Sequence, residues 1–199
     1  MPSETDLLND ALGQIGATKI NAIDDGSTNA NYCLIFYPPL LDSLLRSHHW
    51  NFAMKRVELP QDGTTPPFEY AFSYTLPADY LKVVVYSGSN PDTTTIVLLE
   101  TVQEFKWKIE GRKLLTNDGQ VFIVYVARIT DPNIWDGIFY QLISTWLASK
   151  LASAITKDTK KARELLAIAV DVLNPLATAV DGQEGSTDTF QTPELLLGR

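Results

Sequence analysis

Hydrophobic positions recur at helical spacing at both ends of the chain and alternate in its middle third. Ser3-Glu4-Thr5-Asp6 offers a capping start. Leu7, Leu8, Ala11, Leu12 and Ile15 behind it predict a short amphipathic helix, weakened at Gly13 and ended at Gly16. Ile20 and Ile23 form an extended linker, and Asp24-Asp25-Gly26-Ser27 is a turn. Ser27 or Thr28 then caps a second helix through Ala30, Cys33, Leu34 and Tyr37. Pro38-Pro39 interrupts it, at a cost of about 3 kcal/mol or more per proline in a regular helix interior. The periodicity resumes at once through Leu40 to Ser47, so the expectation is a kink rather than a break. Leu41, Leu44, Leu45 and His48 continue the helical spacing. From Trp50 the pattern turns strand-like, with Phe52, Met54, Val57 and Leu59, and Pro60 stops it. Residues 41–56 therefore read as a helix-to-strand seam with Trp50 and Phe52 as core residues at the hinge.

Residues 60–67 are a loop by composition. Phe68 to Leu76 alternates like a half-buried strand, Pro77-Ala78-Asp79 is a turn, and Leu81 to Tyr86 is a β-branched strand. After a loop from Ser87 to Thr94, strands are expected near Ile96–Leu99, Phe105–Glu110, Lys113–Leu115 and Val121–Ala127, with hairpin turns at Gly111-Arg112 and Asn117-Asp118-Gly119. The helical period returns from Ile134 and Trp135 to Ile155, starting at Asp131-Pro132 and stopping near Lys157. A last helix carries Ala162, Leu165, Leu166, Ala169, Val170 and Leu173 and ends near Pro175. The order defines an α+β protein: a helical bundle (residues 1–50 and 131–180) with a small antiparallel β-sandwich or barrel-like domain (51–130) inserted in it. Residues 181–199 read as an acidic mobile tail with one apolar knot, Leu195-Leu196-Leu197.

Composition narrows the function more than the fold. At 199 residues there is enough chain for one sizeable core. A formal charge of −8 argues against a sequence-independent nucleic-acid clamp, which needs a dense basic surface, yet it suits a path that DNA slides past. One cysteine, Cys33, excludes an intrachain disulfide and fits assembly in a reducing cytoplasm. The start of the chain has no secretory pattern, and no apolar run reaches the roughly 18 residues of a membrane span.

Candidate chemistry is sparse. His48-His49 would point about 100° apart on a helix and does not make a metal site. Cys33 sits in an apolar stretch where a thiol is inert, and there is no nucleophile elbow or phosphate-binding loop. Glu69, Asp79, Glu100, Glu104 and Glu110, with Tyr70, Phe72, Tyr74 and Trp107 as a stacking platform, keep open a glycan-binding or polysaccharide-hydrolysing alternative that needs two facing carboxylates. Lys150, Lys157, Lys160, Lys161 and Arg163 gather where the last two helices meet, as a solvated helix end or a contact for DNA phosphates or an acidic neighbour. No catalytic residue, cofactor or metal is expected.

Four ordered motifs carry a family resemblance. They are Ala11-Leu12-Gly13-Gln14-Ile15-Gly16 with Ile20, Asp25, Ala30 and Cys33; Asp42-x-x-Leu45-Arg46-Ser47-His48-His49-Trp50-Asn51-Phe52-Ala53; Tyr70-x-Phe72-x-Tyr74-x-Leu76-Pro77-Ala78-Asp79-Tyr80-Leu81 followed by Glu110-Gly111-Arg112-Lys113-Leu114-Leu115-Thr116; and Tyr125-Val126 through Asp131-Pro132 to Leu147-Ala148 and Leu151-Ala152. Across residues 5–180 the chain resembles the tail tubular protein A family, head-to-tail adaptors of short-tailed bacteriophages. It departs from the family pattern at His49, where proline is common, and at Pro38-Pro39. The resemblance implies a non-enzymatic virion protein, made in the host cytoplasm, that forms a ring, commonly a dodecamer. Such a ring binds the portal protein above and the tail nozzle protein below, with genomic DNA passing through and no membrane involved. Arg46, His48, Trp50, Phe52, Leu76, Pro77, Asp79, Gly111 and Arg112 are then structural motif residues, and Leu195, Leu196 and Leu197 a candidate portal anchor. Another head-completion or stopper connector is the nearest alternative.

Overall fold

The computed structural model describes residues 2–88 and 107–184. The expected strand at 96–99, the carboxylates Glu100 and Glu104, and the anchor Leu195-Leu196-Leu197 lie outside the described residues. The architecture is α+β, with helices before and after two small antiparallel sheets.

Helix α1 (Glu4–Gln14) starts on a capping box: Asp6 N–H donates to Ser3 Oγ (3.1 Å) and Ser3 N–H to the Asp6 carboxylate (2.8 Å). Helix α2 (Thr28–Ser47) is capped by Ser27 and runs through Pro38 and Pro39 without breaking. The carbonyls deprived of their helical donors are those of Leu34 and Ile35. Both residues are exposed, at 43% and 61%, so water serves that side of the helix.

His48 is not part of α2. It is the residue after the last turn, in extended backbone (φ −136°, ψ 164°). A 3₁₀ turn (Asn51–Ala53) leads into β1 (Met54–Leu59). The next strand, β2, is only Phe72–Thr75, shorter than the alternation from Phe68 predicts. Glu69 stands at φ +69° and Phe68 is 77% exposed, a backbone that cannot continue a ladder. Strands β3 (Tyr80–Gly88), β4 (Trp107–Glu110), β5 (Lys113–Thr116) and β6 (Val121–Ala127) follow.

The sheets have the orders β1-β6-β3 and β2-β5-β4, all pairs antiparallel. Strands β4 and β5 form the expected hairpin, with Gly111 at φ +60°, where a side chain would be strained. Asn117-Asp118-Gly119 is not a hairpin turn: β5 and β6 on either side of it belong to different sheets. Asp118 joins the sheets instead. Tyr86 of β3 donates to its carboxylate (2.5 Å) and Tyr74 of β2 to its carbonyl (2.7 Å). A Cβ on Gly88 would lie 2.1 Å from the Asp118 carboxylate, so any side chain there would have to displace it.

The loop before β2 is tied to the second sheet by Asp62, whose carboxylate accepts from Thr75 (2.7 Å), Ser73 (2.8 Å) and Lys113 (3.1 Å). The Thr75 hydroxyl first, then Ser73 and Lys113, outweigh the cost of burial and hold this carboxyl below its usual pKa. Because the folded pKa is the lower one, the stabilisation is complete above the unfolded value of about 3.9 and is lost as pH falls through the folded value. The stability difference between the native chain and Asp62→Asn, measured by urea unfolding, is expected to stay constant above about pH 5 and shrink at more acid pH. A difference independent of pH would contradict the ionic role.

Helix α3 (Gly137–Leu151) is the centre. Phe139, Leu142, Ile143, Leu147 and Leu151 are fully buried, and it packs against α1, α2 and the last helical stretch. It begins five residues later than Pro132. Asp131 instead accepts from Asn133 in a local turn, and Asp136 caps the helix by accepting from Ile138 N–H (2.7 Å). After a π turn (Ala152–Thr156) the chain turns at Lys157, φ +55°. The last stretch is α4 (Thr159–Ala167), a π turn (Ile168–Leu173) and α5 (Asn174–Asp181). It does not end near Pro175. The π turn ends two residues before that proline, a widened stretch of the kind that accommodates a missing N–H donor. Nor does a tail begin at Asp181, which is a buried residue of α5.

Candidate functional site

The chain leaves the helices for the sheets between His48 and Ala53, and returns between Ala127 and Asp136. Both crossings meet at one aromatic knot. Trp50 and Trp135 pack edge-on against Phe139, with centroids 4.8 and 5.3 Å away, and Phe52 lies 5.0 Å from the same ring. Each indole N–H donates to a carbonyl six residues earlier, Trp50 to Leu44 (2.9 Å) and Trp135 to Ile129 (3.1 Å). A buried indole thus satisfies its one polar atom and fixes the direction of the chain beside it.

Polar bonds surround the knot. Asp181, 6% exposed, accepts from Asn51 N–H (2.8 Å), lies 3.1 Å from His48 Nε2, and receives the Asn51 side-chain amide on its carbonyl (2.6 Å). The end of the last helix is therefore fastened to the first crossing. Arg46, in the last turn of α2, donates to the Leu81 carbonyl of β3 (2.5 Å). Arg128, just past β6, forms a two-pronged ion pair with Asp42 of α2, through Nε at 2.6 Å and through Nη2. His49 meets Lys82 Nζ (3.2 Å). Burial, and then the Lys82 charge, push the His49 pKa down.

The remaining motif residues occupy the sheet side of the seam. Leu76 is buried and its N–H donates to the Arg112 carbonyl (3.0 Å), while the Arg112 guanidinium returns a bond to the Pro77 carbonyl. Asp79 accepts from Lys55 (2.7 Å) and Tyr125 (3.0 Å). Burial opposes its ionisation, but the Lys55 and Tyr125 bonds prevail and its pKa is lowered. Arg46 joins helix to sheet; Trp50 and Phe52 pack the first crossing on α3 and His48 ties it to α5. Leu76, Pro77 and Arg112 brace the end of β2 against the β4–β5 turn, and Asp79 braces the start of β3 against β1 and β6. The sequence named Asp42 and Asn51 only as motif letters and gave no role to Asp181, Phe139 or Arg128. The only available signal was apolar spacing that continues past Pro175 through Ala177 and Val180 to Asp181.

The contacts of these residues hold parts of the chain together. His48 and His49 face different partners from extended backbone, and among the described residues no three His, Cys, Asp or Glu side chains converge on a metal position. Cys33 is fully buried, and burial pushes its thiol up to about 11. Tyr74 of the expected aromatic platform is 1% exposed, and Trp107 stacks on Tyr86 at 5.6 Å. Asp79 and Glu110 lie in ion pairs with Lys55 and Lys108. A groove of about 770 Å³ between α1 and α3 is lined by Asp10, Gln14, Trp135 and Tyr140, and Tyr140 donates to Asp10 (2.6 Å) across it. Among the described residues no helix is long and apolar enough to cross a membrane.

Fold and seam together define a class: an α+β protein whose distinctive residues work as structural joints. No protein-family model matches the chain, and no curated protein sequence is significantly similar to it.

Proposed function

We propose that this protein is a bacteriophage virion component, a head-to-tail adaptor of the tail tubular protein A kind. It forms a ring, of twelve copies as in that family, between the portal protein and the tail nozzle protein, with genomic DNA passing through. It carries out no catalysis and needs no cofactor. In finer detail the architecture reads as a helical bundle (1–50 and 131–180) with an inserted sandwich-like or barrel-like β-domain (51–130) and an acidic C-terminal tail.

The observation that carries the reading is the outer face of the last helical stretch. Ile168, Val172 and Leu176, about one helical turn apart along one side, are between 46% and 57% exposed, and Leu166 and Val170 (40% and 39%) form a second exposed pair on another side. Single exposed apolar residues are ordinary, whereas a contiguous strip marks a surface made to be covered. The motif residues add support, since their side chains join elements rather than face a substrate. The net charge of −8 keeps a DNA path from becoming adhesive.

Negative-stain imaging of the protein mixed with the portal protein of the same phage tests the proposal. Rings seated on the portal face are expected, and a chain that stays monomeric beside the portal overturns it. Removal of residues 185–199, which carry Leu195-Leu196-Leu197 and leave Asp181 in place, is expected to weaken portal docking. Unchanged docking would remove the anchor role of that knot.

A further inference from the structure

We propose that copies of this chain join head to tail, with the apolar strip of the last helical stretch in one copy seated on the exposed Leu34–Ile35 shoulder of α2 in the next. The inference rests on the ring-forming reading above and specifies which two surfaces meet.

Two separate apolar surfaces are present, on two helices that both turn their inner faces to α3. The first is the Ile168–Val172–Leu176 row on the last helical stretch, its residues about one turn apart. The second is Leu34 (43% exposed) and Ile35 (61% exposed), extended by the exposed ring of Pro39. A patch that pairs with its own copy closes a two-fold dimer. Two different patches that fit each other propagate around an axis and close into a ring. Pro38 and Pro39 also offer no N–H to the carbonyls of Leu34 and Ile35, so this shoulder presents backbone acceptors beside its apolar side chains.

Charge sets the direction of the pairing. The strip is preceded by exposed Lys157, Lys160, Lys161 and Arg163, with Asp158 and Glu164 among them (Lys160 lies 3.9 Å from Glu164), which leaves that end net positive, and the shoulder by exposed Asp24 and Asp25. At 1.5 Å per helical residue, Lys161 lies about 11 Å ahead of Ile168, and Ser27 about 12 Å ahead of Ile35. Laying strip on shoulder in parallel therefore brings the basic end of one copy to the acidic turn of the next. Asp25 accepts from Ser27 N–H (2.8 Å) and Asn21 N–H (3.0 Å), bonds that hold the turn in place and favour its charged form. Two strips laid side by side in parallel would instead oppose their lysines, a like-charge contact that costs affinity.

Paired cysteines test the contact on the assembled protein. In a Cys33→Ala background, Ile35→Cys and Val172→Cys are placed together in one chain or separately in two, and the portal-bound rings are oxidised. The doubly substituted chain is expected to give a ladder of cross-linked oligomers under denaturing conditions, and a mixture of the two singly substituted chains to give dimers only. A Val172→Cys chain that cross-links to itself overturns the inference in favour of a two-fold contact. Rings without any 35–172 cross-link also overturn it, while leaving the adaptor reading in place. Absence of rings on the portal removes that reading and this inference with it. As a second arm, Lys160→Glu with Lys161→Glu is expected to weaken assembly severalfold, and mixing in Asp24→Lys with Asp25→Lys to restore it in part. Weakening without any rescue would count against the parallel pairing.

Discussion

Replacing Trp50 by alanine is expected to lower the unfolding free energy by about 3–5 kcal/mol, the range for truncating a large buried aromatic. The ring is 1% exposed and touches Phe139, Phe52 and His48, with centroids 4.8, 6.0 and 4.8 Å away. Its removal leaves a cavity where the chain passes from helix to sheet, and also takes away the indole donor to Leu44. Trp50→Phe separates the two losses. It keeps most of the packing and loses the hydrogen bond, for an expected cost of about 1 kcal/mol plus a smaller packing term. Urea unfolding followed by circular dichroism measures both. A Trp50→Ala loss below about 1 kcal/mol would mean that the knot closes over the gap, and the seam would then not be the rigid joint described. Because Trp135 anchors the return crossing on the same Phe139, the effects of Trp50→Ala and Trp135→Ala should not add.

Asp181→Ala is expected to cost about 2–4 kcal/mol. Its carboxylate is buried and serves the Asn51 N–H and His48 together, and truncation leaves a buried backbone donor unsatisfied. The bond from the Asn51 side chain to the Asp181 carbonyl survives the change, which keeps the loss below that of Trp50→Ala. Asp181→Asn retains an acceptor for Asn51 and should lose about half as much, since the charge is removed but the geometry is kept. His48 is a third exposed, so its share is small: a double-mutant cycle of His48→Ala with Asp181→Ala should give a coupling of about 0.5–1 kcal/mol. If Asp181→Ala were neutral, the last helix would be held by its apolar face alone, and its C-terminal end would be free to move.

Local signals were read well where the physics is local. The capping start at Ser3, which the structure makes a capping box, the cap at Ser27 or Thr28, which falls to Ser27, the Gly111-Arg112 hairpin and the span of β6 depend on neighbours within a few residues, and the structure has them. Misreadings fall where a distant partner overrides the local pattern. Phe68 to Ala71 alternates like a strand but has no ladder to join. Asn117-Asp118-Gly119 resembles a hairpin turn, but Tyr74 and Tyr86 from two sheets converge on Asp118 and separate its flanking strands. Ile134 and Trp135 match the helical period of α3, yet Trp135 is held to Ile129 outside the helix.

The candidate site shows the same division. Arg46, His48, Trp50, Phe52, Leu76, Pro77, Asp79, Gly111 and Arg112 were all legible as notable residues. What each one holds was not. Of their partners, Leu81 lies 35 residues from Arg46 and Asp181 133 residues from His48 along the chain. Sequence by itself determined that this protein runs helix, sheet and helix around one apolar core and carries excess negative charge. Those properties follow from periodicity, capping and composition, which neighbouring residues express without help. Only the tertiary structure decided that two tryptophans close on one phenylalanine at the seam, that Asp181 belongs to the fold rather than to a tail, and that two apolar surfaces on different helices are left uncovered. Each of these depends on which distant side chains compete for the same buried space, and burial is a property of the whole chain rather than of any stretch of it.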